Sequence, residues 1–210
     1  MKKQIKQINV DEIYEDLKEK LVGLTYKPGE HLSTETLIKH YEATEEAVGE
    51  ALNRLIRDGF IVWTKTGARV VTWEANDVEE IQELSLILDR LVLEDIFELD
   101  DRSILLKELG IISDRFMKAD SSDDQVRWAE LFSKALYRSI GSQRLLRMAS
   151  TIKSQQAMLR NILLKQNNHV PQLEEHRQIV AGIEKNDFQQ TLQGLESAYA
   201  LKTQAILKQI

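Results

Sequence analysis

The sequence predicts a mostly α-helical protein in which three helices and a β-hairpin are followed by a bundle of six helices. Apolar residues recur at spacings of three and four along most of the chain, which is the spacing of one helix face. With 6% aromatic residues, 9 Gly and 2 Pro in 210 residues, the composition favours long helices over a turn-rich β fold. Strand-like runs appear at residues 60–72 and vanish from Asp77 onward.

Capping and turn residues bound the three predicted N-terminal helices. The first covers about residues 10–24, with one apolar stripe formed by Ile13, Leu17, Leu21 and Leu24. Ser33 or Thr34 is expected to cap a short second helix and Thr44 a third, since a side-chain hydroxyl accepts hydrogen bonds from the free N–H groups of the first turn. Gly59 is expected to end the third helix in the left-handed conformation.

A β-hairpin is predicted directly after the third helix. Two runs rich in β-branched and aromatic residues, 60–63 and 68–72, flank a Thr-Lys-Thr-Gly turn. Three helices followed by a hairpin is the element order of a winged helix-turn-helix. We therefore predict a winged helix-turn-helix domain in residues 1–74.

Six amphipathic helices are predicted in the remainder, residues 75–210. They cover about residues 77–99, 101–119, 123–140, 142–167, 171–185 and 187–209, and each opens with Asp, Ser or Pro. The connections are short, so sequential helices are expected to pack antiparallel as a bundle. No Gly/Ser/Pro tract separates the two predicted domains.

Several classes of protein and site are excluded by composition. No run of about 18 apolar residues predicts a membrane span, and no apolar stretch follows the basic residues 1–8 to make a secretion signal. Without cysteine there is no disulfide, thiolate zinc site or cysteine nucleophile. Because no Ser/His/Asp set, phosphate-binding Gly loop or carboxylate pair stands out, we predict no enzyme and no cofactor.

The charge balance opposes general binding to nucleic acid. The net charge is −6, which is the wrong sign for attraction to a polyanion through bulk electrostatics. Up to Glu74 there are 11 basic and 13 acidic residues, which leaves 11 − 13 = −2 for this part and −4 for the rest. Any contact with DNA must therefore depend on local patches.

The two predicted domains resemble two parts of one known family. A Pro-Gly-x-x-Leu motif at 28–32, a Leu-x-x-x-Gly helix exit at 55–59 and a Gly-Ala-x-Val wing ending at 67–70 resemble the GntR winged helix. Residues 77–84 look like the opening helix of the FCD-type domain of the FadR subfamily. Glu175-His176, with Ile179, Ile183 and Asp187, is similar to the signature of that domain.

This resemblance implies a cytoplasmic transcription regulator that forms a homodimer and binds a double-stranded DNA operator and a small-molecule effector. The DNA contacts that it implies are Thr34, Thr44, Glu45, Arg54, Lys65, Thr66, Gly67 and Arg69. Three arginines of the family pattern are replaced here by Glu35, Glu45 and Gly49, which leaves only Arg54. The alternative is therefore a ligand- or partner-binding protein that keeps the fold and has lost DNA recognition.

The resemblance also places an effector pocket in the helical domain, at Ser85, Ala129, Ser133, His176 and Ala198. Many relatives bind a divalent metal at four of these positions, where this chain keeps only His176. We therefore predict no metal, since a lone imidazole is not a ligand set, and interpret His176 as a hydrogen-bonded core or pocket residue. Glu174 and Glu175 are expected to point away from it, because adjacent helical residues face apart.

Overall fold

The computed structural model describes residues 9–209 and divides the chain into two compact units that meet between Thr72 and Trp73. Residues 1–8, where no secretion signal is predicted, lie outside the described residues. Within the described range the chain forms nine helices and three short strands. None of these helices is long and apolar enough to cross a membrane.

The first unit has the predicted order of three helices and a hairpin. Its elements are α1 (Val10–Val22), β1 (His31–Leu32), α2 (Thr34–Tyr41), α3 (Glu45–Arg57), β2 (Ile61–Thr64) and β3 (Gly67–Val70). The strands form one antiparallel sheet in the order β1-β3-β2. Strand β1 was not predicted from the sequence, because two residues are too few to show a periodicity of two.

Local capping explains where the helices of this unit begin. Ser33 and Thr44 accept hydrogen bonds from the backbone N–H groups of Thr36 and Ala47, as predicted for these caps. Asn9 caps α1, which ends two residues before the predicted end. Gly59 has φ +72°, the left-handed conformation predicted for it.

The second unit consists of the six predicted helices. They are α4 (Ala75–Phe97), α5 (Ser103–Met117), α6 (Ser122–Ser139), α7 (Gln143–Lys165), α8 (Val170–Lys185) and α9 (Phe188–Leu207). Ser142 and Asp187 cap α7 and α9 through their side chains, as the sequence suggests. Helix α6 is capped by Ser121, two residues before the predicted start.

Packing within the second unit follows the buried faces more closely than the chain order. Sequential neighbours pack together for α5–α6, α6–α7 and α8–α9, whereas α4 packs mainly against α7 and α9, and α5 also packs against α8. A short connection limits the distance between two helix ends but does not decide which faces are buried together. Helices α8 and α9 approach closely at Gly182, where a Cβ would lie 1.7 Å from the Thr191 hydroxyl oxygen.

Candidate functional site

The first candidate surface is the exposed face of α3, the second helix of the helix-turn-helix. Thr44 and Glu45 are exposed at its N-terminal end, where base contacts are made in this motif. A Cβ at Gly49 would have no atom within 4 Å, so this position also faces open space. The carboxylate at Glu45 and the missing side chain at Gly49 leave this face without a cation at either position.

Arg54, the remaining arginine of the family pattern, is already paired within the unit. Its Nη1 donates to Asp11 of α1 at 2.5 Å, and its Nε lies 3.4 Å from Glu50. The hydrogen bond to Asp11 raises the pKa of Arg54. Arg57 also lies within 3.6 Å of Glu50, so both arginines of α3 have carboxylate neighbours.

Thr34, a predicted DNA contact, is the first residue of α2 and is half-buried. It directly follows Ser33, which caps the helix. The residue after Thr34, Glu35, forms an exposed ion pair with Lys39 at 2.6 Å. Helix α2 therefore presents a neutralised pair where the family pattern has an arginine.

The hairpin of β2 and β3, which we call the wing, carries four of the predicted contacts. Lys65 and Thr66 are exposed at its turn. Gly67 has φ +109°, a conformation that favours glycine. Arg69 is half-buried and donates from Nη1 to the Gly29 carbonyl at 2.5 Å, so it braces the base of the wing. Lys65 is therefore the fully exposed cation of the wing.

The second candidate site is a group of polar side chains in the core of the helical unit, which we call the buried polar cluster. Its members are Asp89, Tyr137, Lys153, Arg160, Gln172, Glu175, His176, Tyr199 and Lys202. All are buried except Lys153, whose side chain remains 14% exposed. A buried polar group is costly unless it forms hydrogen bonds. The cluster contains atoms that have hydrogen-bond partners and atoms that have none among the described residues.

Asp89 of α4 is the centre of one half of the cluster. Its carboxylate accepts from Lys153 Nζ at 2.8 and 2.9 Å, from Tyr137 at 2.8 Å and from Tyr199 at 2.5 Å. Burial raises the pKa of a carboxyl, but Lys153 and the Tyr199 hydroxyl outweigh burial and hold the pKa of Asp89 below its usual value. Asp89 is therefore a fully partnered carboxylate that joins α4, α6, α7 and α9.

Glu175 of α8 is the centre of the other half. It accepts from Lys202 Nζ at 2.8 Å and from the Gln172 amide at 2.5 Å. The same amide nitrogen lies 3.1 Å from His176 Nε2, which makes Nε2 the acceptor and places the imidazole proton on Nδ1. Glu175 and His176 thus share one partner although they are adjacent, so the expectation that Glu175 points away is wrong. The buried face of α8 is wide enough to include both.

His176 is enclosed by aromatic rings. It stacks on Phe132 with centroids 3.8 Å apart, and Phe116 meets it edge-on at 4.9 Å. Burial, reinforced by the positive charges of Arg160 and Lys202, lowers the pKa of His176 well below its ordinary value. His176 is therefore a neutral histidine, and its Nδ1 has no partner within the described residues.

Arg160 of α7 is the charged member of the cluster that has an unsatisfied donor among the described residues. It is 4% exposed; its Nε donates to Asn161 at 3.2 Å, and its Nη2 has no hydrogen-bond partner in the described chain. Burial lowers the pKa of Arg160, against the opposing fields of Glu130 and Glu175. A guanidinium has five donors in a planar fork that fits a carboxylate, so Arg160 has unused binding capacity.

A small cavity of about 20 Å³ lies within the cluster, enough for about one water molecule. It is lined by Asp89, Phe132, Ser133, Leu136, Lys153, Gln156, Arg160, Gln172, Glu175 and Ile179. Of the predicted pocket residues, Ser133 lines the cavity, and His176 reaches it through Gln172. Ser85, Ala129 and Ala198 are buried but are not among the lining residues.

The polar residues of α7 that line the cavity were missed by the sequence reasoning. Lys153, Gln156 and Arg160 occur at i, i+3 and i+7, so they share one face of α7. Met158, Leu159, Leu163 and Leu164 surround them in the chain and are buried. A polar row at helical spacing that runs into the largely buried C-terminal half of α7 is the signal that would have indicated this site.

The positions that hold a metal in many relatives do not fit one here. Ala129 and Ala198 have no donor atom, and in the described residues no group of three or more His, Cys, Asp or Glu side chains converges. His176 is held by Gln172 and two aromatic rings instead.

Comparison with known families matches both units. The family described as bacterial regulatory proteins of the gntR family matches residues 9–71, and the FCD domain matches residues 74–197. An uncharacterized HTH-type transcriptional regulator, YdhC of Bacillus subtilis (strain 168), is 27% identical over 99 residues. That stretch covers 46% of this chain and 44% of YdhC, so less than half of the relative is matched.

Solved structures share the whole architecture. A putative transcriptional regulator GntR from Rhodococcus sp. RHA1 has a TM-score of 0.76 and 19% identity, and E. coli McbR/YncC has a TM-score of 0.78 and 19% identity. In both cases 95% of this chain and 97% of the other chain are covered. At this identity the likeness establishes the fold alone.

Proposed function

This chain belongs to the GntR family of transcription regulators, with an FCD domain of the FadR type after its winged helix, and from that premise we propose that its helical unit senses a small carboxylate. The observation that carries the proposal is the buried guanidinium of Arg160, whose Nη2 has no hydrogen-bond partner among residues 9–209. A carboxylate would give it a bidentate, charge-assisted pair.

The charge of the buried polar cluster favours the same ligand. Lys153, Arg160 and Lys202 bring three positive charges against the two carboxylates of Asp89 and Glu175, which leaves 3 − 2 = +1 when His176 is neutral. Burying an uncompensated charge costs several kcal/mol even after relaxation. One carboxylate neutralises the excess, and Ser133 and Gln156 line the same cavity as hydrogen-bonding groups.

Ligand entry also suggests how the signal is transmitted. The cavity holds about one water, so an organic acid requires α7 to move relative to the helices that it packs against, among them α4 and α6. Asp89 links α4 directly to Lys153 of α7. A carboxylate favours the arrangement of the helical unit that binds it more tightly, and α4, the first helix after the winged helix in the chain, is part of that arrangement.

A titration of thermal stability tests this function. A panel of monocarboxylates and matched amides is added to the full chain; we expect only carboxylates to raise the Tm, since a ligand at 100 times its Kd adds about 2.7 kcal/mol of stability. Arg160→Met should abolish the response, whereas Arg138→Met, which removes an exposed arginine paired with Glu108, should keep it. Equal shifts with amides would contradict the carboxylate assignment.

We further propose a homodimer formed through α4. Leu84, Ile87 and Leu91 are exposed at spacings of three and four, and so form an apolar stripe on its outer face. A two-fold symmetric dimer matches operator half-sites about one helical turn apart. Light scattering of the full chain should give a dimer that Ile87→Glu dissociates and that Met148→Glu, at an isolated exposed methionine of α7, leaves intact. A monomeric wild type would contradict this interface.

We propose that the winged helix binds double-stranded DNA and that the protein acts in the cytoplasm. We propose no enzymatic activity for it. The second candidate, a ligand- or partner-binding protein without DNA recognition, is favoured by one observation, the pairing of Arg54 with Asp11 and Glu50. Selection from randomised duplexes separates them. An enriched two-fold symmetric sequence supports the regulator, and no enrichment supports the second candidate.

A further inference from the structure

The wing carries a large aromatic side chain that is mostly exposed to solvent and is not part of the hydrophobic core. Trp63 of β2 is 62% exposed. Its neighbours on the same face of the sheet are Ile61, Ala68 and Val70, as the pairing Ile61–Val70 and Trp63–Ala68 requires. These three are at most 1% exposed. Trp63 therefore extends the apolar face of the hairpin beyond the core of the winged helix, into solvent.

The surroundings of Trp63 differ in charge from the rest of the unit. Residues 59–73 contain Lys65 and Arg69 and no Asp or Glu, which gives +2. Residues 9–58 contain 6 basic and 12 acidic residues, which gives 6 − 12 = −6. Within residues 9–73 the wing is thus a cationic segment next to helices with a net negative charge, and in this part of the chain it attracts a polyanion most strongly.

The wing is held in one conformation. His31 of β1 donates from Nε2 to the Thr66 carbonyl at 2.6 Å, and Thr64 Oγ1 donates to the Gly67 carbonyl at 2.9 Å. Gly67 lies against the imidazole, since a Cβ there would be 3.0 Å from His31 Nε2. Contacts made by a braced turn require little ordering on binding, so Trp63 and Lys65 are presented in a preformed arrangement.

From these observations we propose that Trp63 is a DNA-contacting residue, which packs its indole on the sugars and bases of duplex DNA while Lys65 neutralises a phosphate. Apolar side chains inserted from minor-groove binders contact base steps in this way. The proposal rests on the proposed DNA binding and shifts the principal contact from α3, whose arginines are paired with carboxylates, to the wing.

The test compares two neighbouring side chains of different chemistry. The full chain and its variants are titrated with a fluorescein-labelled 30-base-pair duplex of mixed sequence across a range of salt concentrations. Trp63→Ala should lower the affinity about tenfold, the size of one lost base–aromatic contact, and should leave the log–log salt slope unchanged because no phosphate contact is removed. Lys65→Ala should reduce that slope by about one unit. Trp63→Phe should retain most of the affinity.

Two controls keep the outcome specific. Ile104→Ala removes a highly exposed apolar side chain of the helical unit, 81% exposed, and should not change duplex affinity. The emission of wild type minus that of Trp63→Phe isolates Trp63 from the other two tryptophans and should be quenched by the duplex. If wild type binds and Trp63→Ala binds equally well, this inference is overturned while DNA binding stands; if wild type binds no duplex at low salt, both fall. Loss of dimerisation without loss of affinity would assign Trp63 to a protein interface and overturn the inference.

Discussion

Arg54 in the winged helix and Arg160 in the helical unit are the same residue type in opposite situations. The side chain of Arg54 is 36% exposed and has Asp11 and Glu50 as partners. Arg160 is 4% exposed, and its Nη2 has no partner in the part of the chain that the structure describes. An exposed, paired arginine costs the fold little and contributes little, whereas a buried arginine with no opposite charge hydrogen-bonded to it destabilises the fold unless a ligand compensates. Exposure and pairing, more than residue type, therefore indicate where this chain binds a charged ligand.

The largest expected effect comes from removing a buried carboxylate. Asp89→Ala leaves Lys153 and two tyrosine hydroxyls without their common partner, and breaking a buried ion pair on one side costs about 3–5 kcal/mol. Urea denaturation followed by circular dichroism measures the change. Glu108→Ala, which breaks an exposed pair with Arg138, should cost about 1 kcal/mol or less. Equal costs for the two variants would break the contrast between buried and exposed charges.

The Arg160→Met variant tests whether the buried guanidinium destabilises the protein when no ligand is bound. Replacing a buried cation that has no carboxylate hydrogen-bonded to it in the described chain by an apolar side chain of similar length should stabilise the free protein by about 1–4 kcal/mol. The same denaturation experiment, without ligand, measures this. A destabilised variant would show that Arg160 supports the fold, and the assignment of its Nη2 to a ligand would be wrong.

The pH dependence of stability tests the neutral state of His176. Because its folded pKa lies well below that of the unfolded chain, the unfolded state binds more protons below about pH 6.5. Stability should therefore fall with decreasing pH from about 6.5, by up to about 1.4 kcal/mol per pH unit from this residue. His176→Asn should remove that part of the slope, and His40→Asn, at an exposed histidine, should not. An unchanged slope in His176→Asn contradicts a buried neutral imidazole.

The smallest expected effects concern the exposed face of α3. Glu45→Arg together with Gly49→Arg adds two cations at positions open to solvent. The log–log salt slope of duplex binding should then steepen by about one unit for each new phosphate contact. Gly110→Arg in α5 is the matched control, because a Cβ there also has no atom within 4 Å. If Gly110→Arg has the same effect, the gain reflects net charge and not the position on α3.

The ion pair between Asp11 of α1 and Arg54 of α3 is expected to limit the affinity of the α3 surface for DNA. Asp11 of α1 holds Arg54 of α3, so Asp11→Asn should free the guanidinium and raise duplex affinity, and Arg54→Ala should lower it. Lys107→Ala, in α5, should leave it unchanged. Fluorescence titration at one fixed salt concentration compares the three. An affinity that does not respond to Asp11→Asn would show that Arg54 is not limited by its partner.

Helices, caps and the wing could be read from the sequence because they depend on residues close together in the chain. The stripe of α1, the caps Ser33 and Thr44, and Gly59 all act within one or two helical turns. Only the tertiary structure decided that α4 packs against α7 and α9, since that choice depends on the summed burial of several faces. It also decided which charges have partners: Asp11 lies 43 residues from Arg54, and Asp89 lies 64 from Lys153. Periodicity identifies a buried face, but the partners of a buried charge are set by distant segments, and for this reason Arg160 became a candidate site only in the folded chain.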